Sequence, residues 1–206
     1  MPPTRYNADE VTRRIERLQE TYEEVHVSRR RDDPMDEFDE LRGYAEEGYI
    51  GGAYAWVVRR PEQAHDLTES MPDDAFGDQE RVLLGMGRGS NHWGPSGGGL
   101  EGFDPDEPGS GETYEDAAVR EVEEETGVEC EVHGPVTVDR VVVANPEGED
   151  EVHLAYVIFG GRYTGGSIDV QPGELNGAAW FAALPDEIHP NVEFWPEYWE
   201  ARRDDS

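Results

Sequence analysis

The chain has no lysine: all 17 basic residues among its 206 are arginine. Against them stand 48 Asp and Glu, leaving a formal net charge of -31 at pH 7. Nonspecific nucleic-acid binding needs basic patches, so that class of function is excluded. Carboxylates hold hydration in concentrated salt, and near 1 M ionic strength the Debye length shrinks to about 3 Å, which screens their self-repulsion. The composition therefore fits a salt-accumulating, halophilic cell interior, and it says where the protein works rather than what it does. Cysteine is almost absent too. Cys130 stands alone, so no internal disulfide can form, which fits a cytoplasmic protein. No run of about 18 apolar residues occurs, so no membrane partner is expected. The start, MPPTRYN, lacks the charged-then-apolar pattern of a secretory leader.

What is present suits one domain with an extension. Residues 7–25 read as an amphipathic helix: Val11, Ile15, Leu18 and Tyr22 recur at helical spacing, and Asn7 with Glu10 fits a reciprocal N-cap. A second short helix is expected over 35–46. Both helices pack on the main domain or on a partner in a homodimer. This divides the chain into a helical N-terminal extension, 1–48, and a main domain, 49–206. Strands are expected over 54–59, 81–86, 132–144, 151–160 and 177–181, and a polar loop over 61–79. A helical segment rich in Pro and Trp is expected to run to about residue 203, with Trp195, Tyr198 and Trp199 on one packed face.

The most specific pattern lies at 112–128, ETYEDAAVREVEEETGV. Glu112 is followed after seven residues by Arg120-Glu121-Val122, then Glu124-Glu125, then Gly127-Val128. Thr113 with Asp116 forms a capping box, and Ala118 and Val122 supply an apolar i, i+4 stripe. In so acidic a chain a run of Glu is ordinarily a solvated helix face. Yet the chain's own residue frequencies give a chance match only about once in ten thousand such chains. Positions i, i+3 and i+4 share one helical face, so Glu121, Glu124 and Glu125 are crowded together. Like charges at that spacing cost helix stability, and a hard divalent cation with oxygen ligands relieves the cost.

With GGGLE at 97–101 just upstream, this segment resembles the Nudix box, G-x5-E-x7-R-E-U-x-E-E-x-G-U with U apolar. The resemblance implies an α/β fold, an α/β/α sandwich on a curved mixed sheet, and a pyrophosphohydrolase. It implies Mg²⁺ or Mn²⁺ held by Glu121, Glu124 and Glu125, with Glu112 reaching a metal through water and Gly97 or Gly98 offering a carbonyl. Arg120 would orient carboxylates with its fork of donors. The general base would be Glu121, or Glu174 in the loop before a Trp-containing strand. Arg88 is a candidate phosphate grip, Trp93 a candidate base-stacking surface, and Glu101 a further candidate in the substrate site. The implied substrate is a small-molecule nucleotide: a nucleoside diphosphate linked to another moiety, with ADP-ribose or a nucleotide sugar favoured. A nucleoside triphosphate, or a non-catalytic nucleotide-binding regulator, is the alternative.

One departure stands out. Counting back from Glu112, the box glycine falls on Asp106, so the two halves meet only if residues 103–110, FDPDEPGS, loop out. That segment fails as a calcium loop because Pro108 occupies a ligand position.

Overall fold

The most continuously buried strand is built from GGAYAWVVR, small and β-prone residues that can sit in a sheet covered on both faces. The computed structural model describes residues 3–32, 37–66 and 79–189. In chain order its elements are β1 (Arg5–Tyr6), α1 (Ala8–Thr21), β2 (Val27–Asp32), α2 (Phe38–Glu46), β3 (Gly51–Arg59), a 3-10 turn (Pro61–Asp66), β4 (Arg81–Gly87), β5 (Trp93–Gly94), β6 (Ser96–Gly99), α3 (Tyr114–Thr126), β7 (Val128–Ala144), β8 (Glu151–Gly166) and β9 (Leu175–Phe181). Parallel pairs (β1 with β8, β2 with β7) and antiparallel pairs (β4 with β3, β5 and β9) make this a mixed-sheet α/β fold. No described helix is long and apolar enough to cross a membrane. The expected C-terminal helix, with Trp195, Tyr198 and Trp199, and most of the 61–79 loop lie outside the described residues.

The chain forms two compact units. The first comprises Met1–Ala55, Gly97–Glu121 and Val132–Gly161. Its strands run β2, β7, β8, β3, with β6 on β3 and β1 on β8. Phe38 and Ala45 of α2 join Val141, Val143, Val152 and Leu154 in an apolar cluster, with Leu41 packed against it. This explains α2, whose 3–4 residue spacing of apolar side chains has a sheet face to bury against. Helix α1 buries Val11, Ile15 and Leu18 as its periodicity predicts.

Two local expectations are corrected. Asn7 does precede α1, but in a left-handed conformation with no side-chain cap. Its amide donates to the Tyr49 carbonyl at 2.8 Å instead, and Glu10 turns to Arg13 and Arg14. The strand β2, VSRRRD, was not anticipated, because its charge hides it. It lies at the end of the strand order, where charged side chains guard an open edge.

The second unit comprises Trp56–Ser96, Val122–Glu131 and Arg162–Ser206. Here β4 pairs with the end of β3, with β5, and over most of its length with β9.

Candidate active site

Thr113 and Asp116 start α3 as the capping pattern requires. Thr113 Oγ1 donates to Asp116 Oδ2 at 2.7 Å, and the Asp116 N–H donates to Thr113 Oγ1 at 3.1 Å. Tyr114, Ala117, Ala118 and Val122 bury one side of the helix. Arg120 and Glu121 stand half-buried on it.

Arg120 organises the box residues of the first unit. Its Nε donates to Glu112 Oε1 at 2.8 Å and its Nη2 to Glu112 Oε2 at 3.0 Å, a two-pronged fork. Nη2 also donates to the Gly99 carbonyl at 2.9 Å, and Nη1 to Glu121 Oε1 at 2.9 Å. One guanidinium thus ties together Glu112, Glu121 and the glycine strand β6. The Arg120 hydrogen bonds hold the Glu112 carboxyl below its ordinary range; partial burial opposes this, and the Glu101 N–H adds to it. Gly98 leaves room for the arrangement: a Cβ there would lie 2.5 Å from Glu121 Oε1. The Gly98 carbonyl itself lies against Gly52, where a Cβ would come within 2.8 Å of it.

Residues 103–110 do loop out, and their neck closes on the box. The Glu112 N–H donates to the Glu101 carbonyl at 2.9 Å, and the Glu101 N–H donates to Glu112 Oε2 at 2.9 Å. Gly111, at φ 74°, fits beneath the neck, where any Cβ would collide with the backbone of Gly102 and Phe103. The Glu101 side chain is exposed, 4.0 Å from Arg120. Sequence reasoning missed the device that holds this neck. Arg14 of α1 is buried, takes Glu10 as counter-ion at 2.5 Å, and donates to the carbonyls of Ser110 and Glu112, each at 2.6 Å. Arg14 also lies over the Phe103 ring at 5.4 Å. Arg17 pairs with Glu115 one turn along. An Arg at i+4 from a Glu signalled an ion pair, but nothing in the spacing pointed to carbonyls 96 and 98 residues away.

The second unit carries the other candidates. Glu124 is exposed and Glu125 half-buried on α3, and the Glu125 carbonyl accepts from the Gln171 N–H at 3.2 Å. Arg88 and Glu174, 86 positions apart in sequence, come together. The Arg88 N–H donates to the Glu174 carbonyl at 3.4 Å, and Arg88 Nη1 to the Gly173 carbonyl at 3.4 Å. Trp93 meets Phe181 edge-on, centroids 4.8 Å apart, so part of its ring is used in packing.

The box arrangement has a counterpart in comparisons with known proteins: the NUDIX domain model matches residues 75–200. The chain belongs to the Nudix hydrolase family. This Nudix pyrophosphohydrolase also resembles solved structures. A MutT NUDIX hydrolase from Burkholderia pseudomallei is 22% identical over 72% of this chain and 95% of that one, with a TM-score of 0.44. A NUDIX-family hydrolase from Clostridium perfringens is 13% identical over 72% and 94%, TM-score 0.47. The NUDIX domain of Shewanella oneidensis NrtR, solved with ADP ribose, is 16% identical over 82% and 99%, TM-score 0.46.

Nudix hydrolases generally use divalent metals. Among the described residues no three His, Cys, Asp or Glu side chains are gathered closely enough to hold an ion. The positive charge shared by Glu112 and Glu121 is that of Arg120. The donor chemistry nevertheless suits a hard cation: the box offers carboxylate oxygens, and the missing Cβ of Gly98 makes room for the Glu121 carboxylate.

Proposed function

We propose that the chain hydrolyses a nucleoside diphosphate linked to another moiety, with ADP-ribose or a nucleotide sugar as preferred substrate. A P–O–P bridge breaks, the oxygen of water ends on one phosphorus, and a carboxylate takes its proton. Glu121 or Glu174 is that base. Glu121, Glu124 and Glu125 hold Mg²⁺ or Mn²⁺, with Glu112 and the Gly98 carbonyl in support. The metal, when bound, neutralises charge on the phosphates and makes water a better nucleophile. Arg120 positions Glu121 and Glu112, and Arg88 grips a phosphate oxygen.

The observation that carries this reading is the Arg120 fork, which orders Glu112 and Glu121 against Gly98 and Gly99. A larger substrate is favoured because residues 1–48, read as an extension on the main domain, send Arg14 to the neck of the box and so add a wall to the site. A nucleotide-binding regulator would have no use for so complete a carboxylate set.

The test is a screen of ADP-ribose, nucleotide sugars, dinucleoside polyphosphates and dNTPs with Mg²⁺ or Mn²⁺ in molar KCl, alongside Glu124→Gln. We expect metal-dependent turnover of a diphosphate-linked nucleotide. Glu124→Gln should lower kcat by about 10²-fold or more, since a positioned charged ligand contributes several kcal/mol to such a step. Full activity in that variant would end the mechanism. Preference for dNTPs would select the triphosphate alternative.

A further inference from the structure

Away from the box residues, Arg59 is buried and, among the described residues, short of acceptors. It ends β3 and pairs across the antiparallel ladder with Arg81, the first residue of β4. Directly paired residues project to one face, so two guanidinium groups share it, and like charges so placed destabilise a sheet. On the neighbouring ladder Trp180 of β9 pairs with Leu83. Leu83 is two residues from Arg81, and side chains two apart share a face. The Arg59 guanidinium carbon lies 4.9 Å from the Trp180 ring centroid. Tyr163 meets the same indole edge-on at 5.7 Å.

Arg59 is 6% exposed. Among the described residues its Nε and Nη1 have no hydrogen-bond partner, nor does Nε1 of Trp180. A buried donor left unmade costs on the scale of a whole hydrogen bond. A buried arginine ordinarily finds a carboxylate, and this chain has 48 acids to offer. Burial, and then the neighbouring Arg81 charge, pull Arg59 below its ordinary value. The fold thus buries Arg59 beside a second guanidinium and, among the described residues, gives its Nε and Nη1 no acceptor.

We propose that Arg59, Arg81 and the Trp180 indole form a phosphate-binding site, separate from the residues of the box. A phosphoryl group offers acceptors in several directions, which suits two guanidinium groups and an indole N–H better than a planar carboxylate does. The phosphate is either free or esterified.

Titration with inorganic phosphate, exchanged for KCl at constant ionic strength with EDTA present, tests this. In a ¹⁵N-labelled chain the Trp180 indole resonance, identified by its loss in Trp180→Phe, should move saturably at about 1 mM phosphate. Arg59→Met keeps an apolar stem over the indole and should remove the shift. Glucose 6-phosphate is the second arm: response to both ligands indicates a bare phosphoryl site, and response to the ester alone indicates an esterified ligand. Should Arg59→Met not fold, Arg59→Lys keeps the charge without the fork, and its midpoint should rise about tenfold. A resonance that stays still in both arms, or an unchanged midpoint in the Arg59 variants, overturns the proposal.

Discussion

Arg120→Lys tests how the candidate site is built. Among the hydrogen bonds Arg120 makes here, two go to Glu112, one to the Gly99 carbonyl and one to Glu121. Lysine carries the same charge but as a point, and cannot span three partners with a planar fork. Charge-assisted hydrogen bonds contribute roughly 1.5–3 kcal/mol each. Two or three are lost, the charge remains, and the Arg120 side chain is 20% exposed, so we expect a net loss of about 2–4 kcal/mol. For a chain of this size that lowers the thermal midpoint by roughly 5–15 °C. The acid limb should move as well. Glu112 is held below its ordinary carboxyl value by Arg120. Its contribution is therefore complete above that ordinary value and lost as pH falls through the lower, folded-state value. In Arg120→Lys the folded-state value rises, so acid unfolding should begin at higher pH. Urea unfolding at neutral pH and an acid titration followed by circular dichroism, both in molar KCl, read the two effects. A variant within 0.5 kcal/mol of the parent (about the spread of an ordinary surface change), with an unmoved acid midpoint, would refute the role given to Arg120.

Three further outcomes are expected. Gly111→Ala should cost about 2–4 kcal/mol, combining a left-handed backbone at φ 74° with overpacking at the neck; a neutral result in urea unfolding would mean the neck is not rigid. The thermal midpoint should rise by several degrees from dilute buffer to molar KCl, because salt screens a net charge of -31; an unchanged melt contradicts the salt-adapted reading. Cys130 is buried, and burial, then the Glu123 charge, push its thiol up to about 12. Its thiolate fraction at pH 8 is thus roughly a thousandfold below that of an ordinary cysteine. A disulfide reagent should label it slowly in the native state and fast in denaturant, and equal rates would show the thiol to be open.

The box was legible because its chemistry is local. Glu112 to Val128 lies in one segment, and helical periodicity alone brings Glu121, Glu124 and Glu125 to one face. The Thr113–Asp116 cap, the stripe of α1 and the main strands were legible for the same reason: hydrogen bonds and burial set by near neighbours. Where a long-range partner competed, local reading failed. Asn7 had the form of an N-cap, but the Tyr49 carbonyl claimed its amide. Strand β2 carries Arg29, Arg30 and Arg31, and it is a strand because β7 offers it a ladder.

By itself, then, the sequence determined the family, the α/β class and the acidic face of one helix, because each is written in residue types at short spacing. Only the tertiary structure decided that Arg14 braces the loop neck, that Arg88 meets the Glu174 loop, and that Arg59 and Arg81 share a face beside Trp180. Those contacts join side chains tens of positions or more apart in the chain. Spacing carries no information about them, and they exist only once the sheet has set its register.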